Sequence, residues 1–194
     1  MPHKYELVKE LLTKEEANQL KTYALELLKT SSPVDGITTV VLHNRPDTWD
    51  PQGNIEKGFR VSDTRFRELQ TLSVIESTKF FIRKIDAGTE IPPFVEIDTS
   101  RDAQVHEVHR KIAVLSISDE YEGGETNFEN HGESFKLEAG DLIMYEVDDV
   151  NKVGVNKVTS GFKLEVIYWY AEVVLKTRFD EFYMPPMENA SDRF

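Results

Sequence analysis

Two histidines of this sequence stand close enough to share a metal ion. His106 and His109 are three residues apart, and imidazole is the commonest metal ligand in proteins. On a strand, residues three apart point to opposite faces of the sheet, so a shared metal would require a turn or a helix at this place. We expect a pair of surface histidines here, and a metal site is the alternative.

Two neighbouring carboxylates form a second candidate site. Glu96 and Asp98 are two residues apart, so on a strand both side chains would point to the same face. Clustered oxygens suit Mg²⁺ or Ca²⁺, which take hard ligands. Because no motif places a further carboxylate beside them, we favour one inward, hydrogen-bonded side chain and one at a strand end.

The composition excludes several classes of function. A chain of 194 residues with 39% hydrophobic residues fits a single domain around one core. The formal net charge of −12 argues against nucleic acid or an anionic membrane as a partner, and is compatible with a small molecule or a basic protein. Cysteine is absent, which excludes disulfides and thiolate metal sites. The first residues lack the basic start and apolar run of a signal peptide, so we expect a cytoplasmic protein.

The first third of the chain has helical signals. Thr13 and Glu16 have the spacing of a capping box, and apolar residues follow at helical spacing, which predicts a helix from Thr13 toward Lys29. Proline and glycine among polar residues predict a surface loop over 45–59. The pattern over 63–79 predicts a second helix.

From residue 80 onward the pattern changes to short strands separated by turn residues. We predict strands over 80–85, 112–117, 141–145 and 163–170, and a hairpin over 127–137. This arrangement is typical of a sandwich or a barrel. The predicted core consists of Phe81, Ile85, Ile112, Val114, Leu115, Phe128, Leu142, Met144, Val166, Tyr168 and Trp169.

Four segments carry a resemblance to a known family. They are a strand that ends at Gly88 and is followed by 89–93; 110–117 leading into Tyr-Glu-Gly-Gly-Glu-Thr at 121–126; 135–145; and 158–163 leading into 169–170. In this order and spacing they resemble the prolyl-4-hydroxylase-like branch of the 2-oxoglutarate/Fe(II) dioxygenases.

The resemblance implies the fold and the organisation of the chain. We expect an α+β protein with a double-stranded β-helix, a cupin-like jelly roll, and N-terminal helices packed outside it. The single domain of 1–194 would contain a mainly helical support over 1–79, the jelly-roll core over 80–172 and a C-terminal tail over 173–194.

The resemblance also implies where a metal site would lie. The family holds Fe(II) with a His-x-Asp/Glu pair and a distal histidine, and this facial triad leaves positions open for 2-oxoglutarate and O₂. Counted from Gly88 the pair falls on Phe94 and Glu96, and counted back from Lys163 the distal histidine falls on Val153. A register shifted by two residues gives Glu96 and Asp98 and still supplies no histidine. We therefore expect no bound metal and no cofactor.

Lys163 matches the residue that binds the distal carboxylate of 2-oxoglutarate in the family. Two interpretations stay open, because its ammonium could hold that cosubstrate or could pair with an internal acid such as Glu96. In both cases the ammonium should point into the barrel and meet an anion.

Three functions are consistent with these residues. The first is a dioxygenase-like binding module without iron chemistry, whose partner is a protein or a small molecule. The second is an active hydroxylase of a protein or small-molecule substrate that uses Fe(II), 2-oxoglutarate and a nonstandard site. The third is a scaffold whose acidic surface binds a basic protein. We favour the first.

Overall fold

The computed structural model describes residues 5–42, 50, 52–68, 74–94, 108–147 and 152–173. In this part of the chain the elements are β1 (Tyr5–Val8), α1 (Lys14–Leu28), β2 (Ile37–Leu42), α2 (Asn54–Glu68), β3 (Val74–Asp86), β4 (Ile91–Phe94), β5 (Val108–Ser116), β6 (Tyr121–Gly123), β7 (Thr126–Phe128), β8 (Glu133–Phe135), β9 (Leu142–Val147), β10 (Val153–Val155) and β11 (Val158–Val173). None of the described helices is long and apolar enough to cross a membrane.

Helix α1 begins as the sequence predicts. The Thr13 hydroxyl accepts from the Glu16 backbone N–H, and the Glu16 carboxylate accepts from the Thr13 N–H at 2.9 Å. These two bonds satisfy amide groups that lack partners inside the helix. The capping-box prediction is therefore confirmed.

Helix α2 corrects two predictions. Residues 54–59 belong to this helix and not to the predicted loop over 45–59. The helix predicted over 63–79 is confirmed for 63–68 and is wrong from Val74 on, where β3 begins. The carboxylate of Asp50, 5% exposed, accepts from the backbone N–H groups of Asn54 and Ile55. This buried cap starts the helix. Gly58 is tolerated inside it because the ring of Tyr168 lies where a side chain would be.

The larger of the two sheets runs in the order β1-β9-β5-β11-β3-β2, and β6 pairs with β11 as a seventh strand. All the strand pairs in it are antiparallel. The sheet thus takes strands from both ends of the described chain, because β1 and β2 come from the N-terminal third and β11 is the last strand described.

The smaller sheet has four strands in the order β4-β10-β7-β8. Strands β7 and β8 form the predicted hairpin, with a 3₁₀ turn over Glu129–His131 between them. The two antiparallel sheets face each other as a jelly roll, and helices α1 and α2 cover the outer face of the larger sheet. The predicted fold class is confirmed.

Strand β11 separates two cores. Its residues Leu164, Val166, Tyr168 and Tyr170 pack with the helices, whereas Ile167 packs between the sheets with Val114, Phe128 and Val153. The alternation follows from the two-residue period of a strand. Of the predicted core, Phe81 and Trp169 are only partly buried, and their rings contact each other edge to face at 5.6 Å; the other nine residues are buried.

Candidate functional site

A cavity of about 40 Å³ lies between the two sheets. Its wall is mostly apolar and includes Ile91, Phe94, Val153, Val155, Ile167 and Trp169. Arg83, Thr126 and Glu165 supply polar groups. An apolar pocket with a few convergent polar groups is the usual form of a binding site, so this cavity is the candidate site.

The two positions expected to carry histidines lie opposite each other in this cavity. Val153 of β10 is the cross-strand partner of Phe94 of β4, and residues directly opposite on neighbouring strands have Cβ atoms about 4.5–5.5 Å apart. Val153 is 7% exposed and Phe94 is 44% exposed at the mouth. The fold therefore brings together the two positions to which the resemblance assigns the histidines of the triad.

An irregularity in β4 orients a second pair into the same cavity. Val155 pairs with Ile91, so two steps along β10 correspond to three along β4. The extra residue falls at Pro92 or Pro93, and it puts Ile91 and Phe94 on one face although they are three apart. Two cross-strand apolar pairs thus line the wall at this place.

These side chains do not fit an Fe(II) centre. Iron of this class takes imidazole and carboxylate ligands, and neither Phe94 nor Val153 carries a lone pair for a metal. Glu165 is the one carboxylate among the residues lining the cavity, and two cations hold it. Within the described ranges no group of three His, Cys, Asp or Glu side chains could hold a metal ion.

The side chains of the remaining metal-ligand candidates are not among those that the structure describes. Glu96, Asp98 and His106 are outside the described residues. His109 lies in β5 opposite Glu172 of β11, and its side chain is not among those described. The expectation that these residues bind no metal stays a prediction, and so does the alternative that they form a metal site.

Lys163 points into the barrel, as expected. Its side chain is fully buried, and its Nζ lies 2.8 Å from Oε1 of Glu165 and 3.3 Å from the hydroxyl oxygen of Thr126. The prediction that the ammonium meets an anion is confirmed. That anion is Glu165, which was not the acid expected from the sequence.

Arg83 completes the charged cluster from the neighbouring strand. Its Nε and Nη2 donate to Oε2 of Glu165 at 3.0 and 2.7 Å, and the side chain is 17% exposed. Arg83 and Glu165 are direct cross-strand partners between β3 and β11. One carboxylate thus bridges two cations inside the barrel; we call Arg83, Lys163 and Glu165 the barrel triad.

The charges of the barrel triad hold Glu165 ionised. Burial alone would raise the pKa of this carboxyl, but the Lys163 ammonium and the Arg83 guanidinium outweigh burial and lower it to about 2. Burial lowers the pKa of Lys163, and the Glu165 carboxylate opposes that effect.

The sequence contained a signal for Glu165, one of the two residues that were missed, but not for the pairing of Arg83. Glu165 follows Lys163 by two positions, so on a strand both side chains share a face. Arg83 lies in a strand that was predicted over 80–85, but its pairing with Glu165 depends on the register between β3 and β11. That register pairs residues that are far apart in the chain, so no local sequence pattern predicts it.

Comparisons with known proteins bear on the fold. No protein-family model matches the sequence, and no curated protein matches it. Among solved structures, the viral collagen prolyl hydroxylase from Paramecium bursaria Chlorella virus-1, in a 2-oxoglutarate complex, superposes with a TM-score of 0.69 at 15% identity over 87% of this chain and 96% of that one.

Two cellular prolyl hydroxylases are similar to the same extent. A Pseudomonas putida prolyl-4-hydroxylase has a TM-score of 0.65 at 13% identity, over 87% of this chain and 92% of that one. A Trichoplax adhaerens prolyl hydroxylase in complex with a hypoxia-inducible-factor peptide has a TM-score of 0.63 at 9% identity, over 88% and 84%. The chain therefore has the fold of the 2-oxoglutarate/Fe(II) oxygenases, in the form found in the prolyl hydroxylases.

Proposed function

We propose that this chain is a non-catalytic binding module built on a prolyl-hydroxylase-type jelly roll. The observation that supports this most directly is the pair Phe94 and Val153, which face each other across β4 and β10 in the cavity. An apolar pair thus stands where the resemblance places the two imidazoles that would hold iron. Both side chains also oppose the entry of a hydrated cation, because a polar group buried among them loses its contacts with water.

The partner we propose is a protein or a small molecule, not nucleic acid and not a membrane. The net charge of −12 disfavours polyanionic partners. Phe94, 44% exposed at the cavity mouth, offers an apolar contact there. A partner with basic groups around an apolar side chain would complement both features.

Anaerobic titration with Fe(II), combined with an assay for succinate formed from 2-oxoglutarate, tests the loss of catalysis. We expect the native chain to bind no stoichiometric Fe(II) and to form no succinate. The variant Phe94→His/Val153→His should gain Fe(II) binding, because the resemblance places Glu96 as the third ligand beside this pair.

A matched control uses the neighbouring pair in the same cavity. Ile91→His/Val155→His also places two imidazoles across β4 and β10, but Pro93 stands two residues after Ile91, where Glu96 follows Phe94. This control should bind Fe(II) at least about tenfold more weakly than the first variant, a difference of about 1.4 kcal/mol. Stoichiometric Fe(II) and succinate with the native chain would contradict the proposal, and His106 and His109 would then be the first residues to mutate.

A further inference from the structure

Two cations converge on the Glu165 carboxylate inside the barrel. Lys163 Nζ lies 2.8 Å from Glu165 Oε1, and the Arg83 fork donates to Glu165 Oε2 at 3.0 and 2.7 Å. The Thr126 hydroxyl lies 3.3 Å from Lys163 Nζ. A guanidinium fork and an ammonium on one carboxylate are groups with which proteins bind a free carboxylate ligand, and the Thr126 hydroxyl accepts from that ammonium.

Packing requirements do not account for this cluster. Burying ions costs several kcal/mol each, and apolar side chains of similar volume commonly give a barrel of equal stability. The same face of β11 continues with Ile167, so an apolar residue is accommodated one step away. The charges therefore point to a ligand-binding arrangement.

We infer that Glu165 is the built-in occupant of a carboxylate-binding site formed by Lys163 and Arg83. Glu165 stands two residues from Lys163 on the same strand and directly opposite Arg83. Its carboxylate is held beside both cations without any loss of translational freedom, whereas a free carboxylate loses that freedom on binding. The native chain consequently takes no carboxylate ligand at Lys163, 2-oxoglutarate included.

Removal of the Glu165 side chain should open the site to an added carboxylate. Glu165→Ala leaves two buried cations and a space that acetate can enter. In chelator-treated buffer, ~0.1 M sodium acetate should raise the Tm of this variant by about 3–6 °C over sodium chloride at the same ionic strength, if acetate binds with a Kd of ~10 mM. The native chain should show no difference between the two salts.

Two variants keep the test decisive. Glu165→Gln keeps the space filled, so acetate should not change its Tm, and Lys163→Met/Glu165→Ala lacks the ammonium, so its gain from acetate should fall to half or less. If Glu165→Ala does not fold in chloride, the refolded fraction with and without acetate replaces the Tm. Equal responses of the native chain and Glu165→Ala to acetate, or no response of Glu165→Ala, would overturn the inference. Because no metal is present, either result leaves the proposed loss of iron chemistry untouched.

Discussion

The two faces of strand β11 bury side chains of opposite character. Toward the helices, Tyr168 and Tyr170 are fully buried and neutral: the Tyr168 hydroxyl donates to the Ile55 carbonyl at 2.8 Å, and the Tyr170 hydroxyl lies 2.6 Å from the Ser62 hydroxyl. Toward the barrel interior, Lys163 and Glu165 are equally buried and charged. One strand thus carries both kinds of core.

The neutral side chains on the helix face stabilise the sheet, whereas the charged side chains on the barrel face shape the cavity. On the helix side the polar atoms are joined to helix α2 by neutral hydrogen bonds, each contributing about 1 kcal/mol. On the barrel side the ions pair with one another, and Arg83 and Glu165 line the cavity. We expect substitutions on the helix face to change the free energy of unfolding through the shape of the side chain, and substitutions on the barrel face to change it through charge.

The largest effect should come from breaking the barrel triad. Glu165→Ala should lower the free energy of unfolding by about 3–5 kcal/mol, because two buried cations lose their carboxylate. The matched variant Arg83→Met/Lys163→Met/Glu165→Leu removes all three charges together and should stay within about 1 kcal/mol of the native chain. Urea denaturation followed by circular dichroism measures both. A triple variant as unstable as the single one would show that the charges themselves stabilise the barrel.

Acid should destabilise the native chain through the same carboxyl. The folded pKa of Glu165 is about 2 against an ordinary value of 4.5, so the stability linked to this group is complete above pH ~4.5 and is lost as the pH falls toward 2. The depression corresponds to on the order of 3 kcal/mol. Between pH 5 and about 2.5, the native chain should lose about that amount of free energy of unfolding relative to the triple methionine-leucine variant. A difference independent of pH would contradict the charge state assigned to the barrel triad.

On the helix face, shape should dominate. A Cβ at Gly58 would lie 2.9 Å from Cζ of Tyr168, closer than real contacts allow. Gly58→Ala should therefore cost about 1–3 kcal/mol, although alanine favours a helix over glycine by about 1 kcal/mol. Thr64→Ala, on the exposed side of the same helix, is the control and should change the stability by less than about 0.5 kcal/mol. A stabilised Gly58→Ala variant would mean that α2 lies farther from β11.

The smallest effect concerns one neutral hydrogen bond. Tyr168→Phe removes the donor to the Ile55 carbonyl and should cost about 1 kcal/mol. In a double-mutant cycle with Gly58→Ala the two costs should sum to more than that of the double variant, because the tyrosine oxygen is the atom nearest to the added methyl group. Strict additivity would place the two residues out of contact.

Local signals in the sequence predicted the elements that are built from local interactions. Thr13 and Glu16 make a capping box within one turn, and the hairpin of β7 and β8 closes over a short turn. Helix α2 was misplaced because its start depends on Asp50, four residues before Asn54, and its Gly58 is explained only by Tyr168 from the far end of the chain. The position of helix α2 therefore depends on tertiary packing and not on local sequence signals.

The candidate site divides in the same way. The resemblance assigned Phe94 and Val153 to the positions of the family's two iron-binding histidines. The register of β4 and β10 brings these two residues opposite each other. The inward direction of Lys163 was also predictable from strand alternation. Its true partner was not predicted, since the resemblance drew attention to Glu96, while Glu165 lay two positions along the same strand.

The position of β11 in the larger sheet has a consequence for synthesis on the ribosome. It lies between β5 and β3, so the sheet exists as two separate halves, β1-β9-β5 and β3-β2, until the last described strand has left the exit tunnel. Each half then presents an unpaired edge, which is the kind of surface that chaperones cover and that aggregates grow from. The larger sheet is therefore completed only after residue 173 has emerged, and a nascent chain stalled before β11 is the form of this protein most in need of protection.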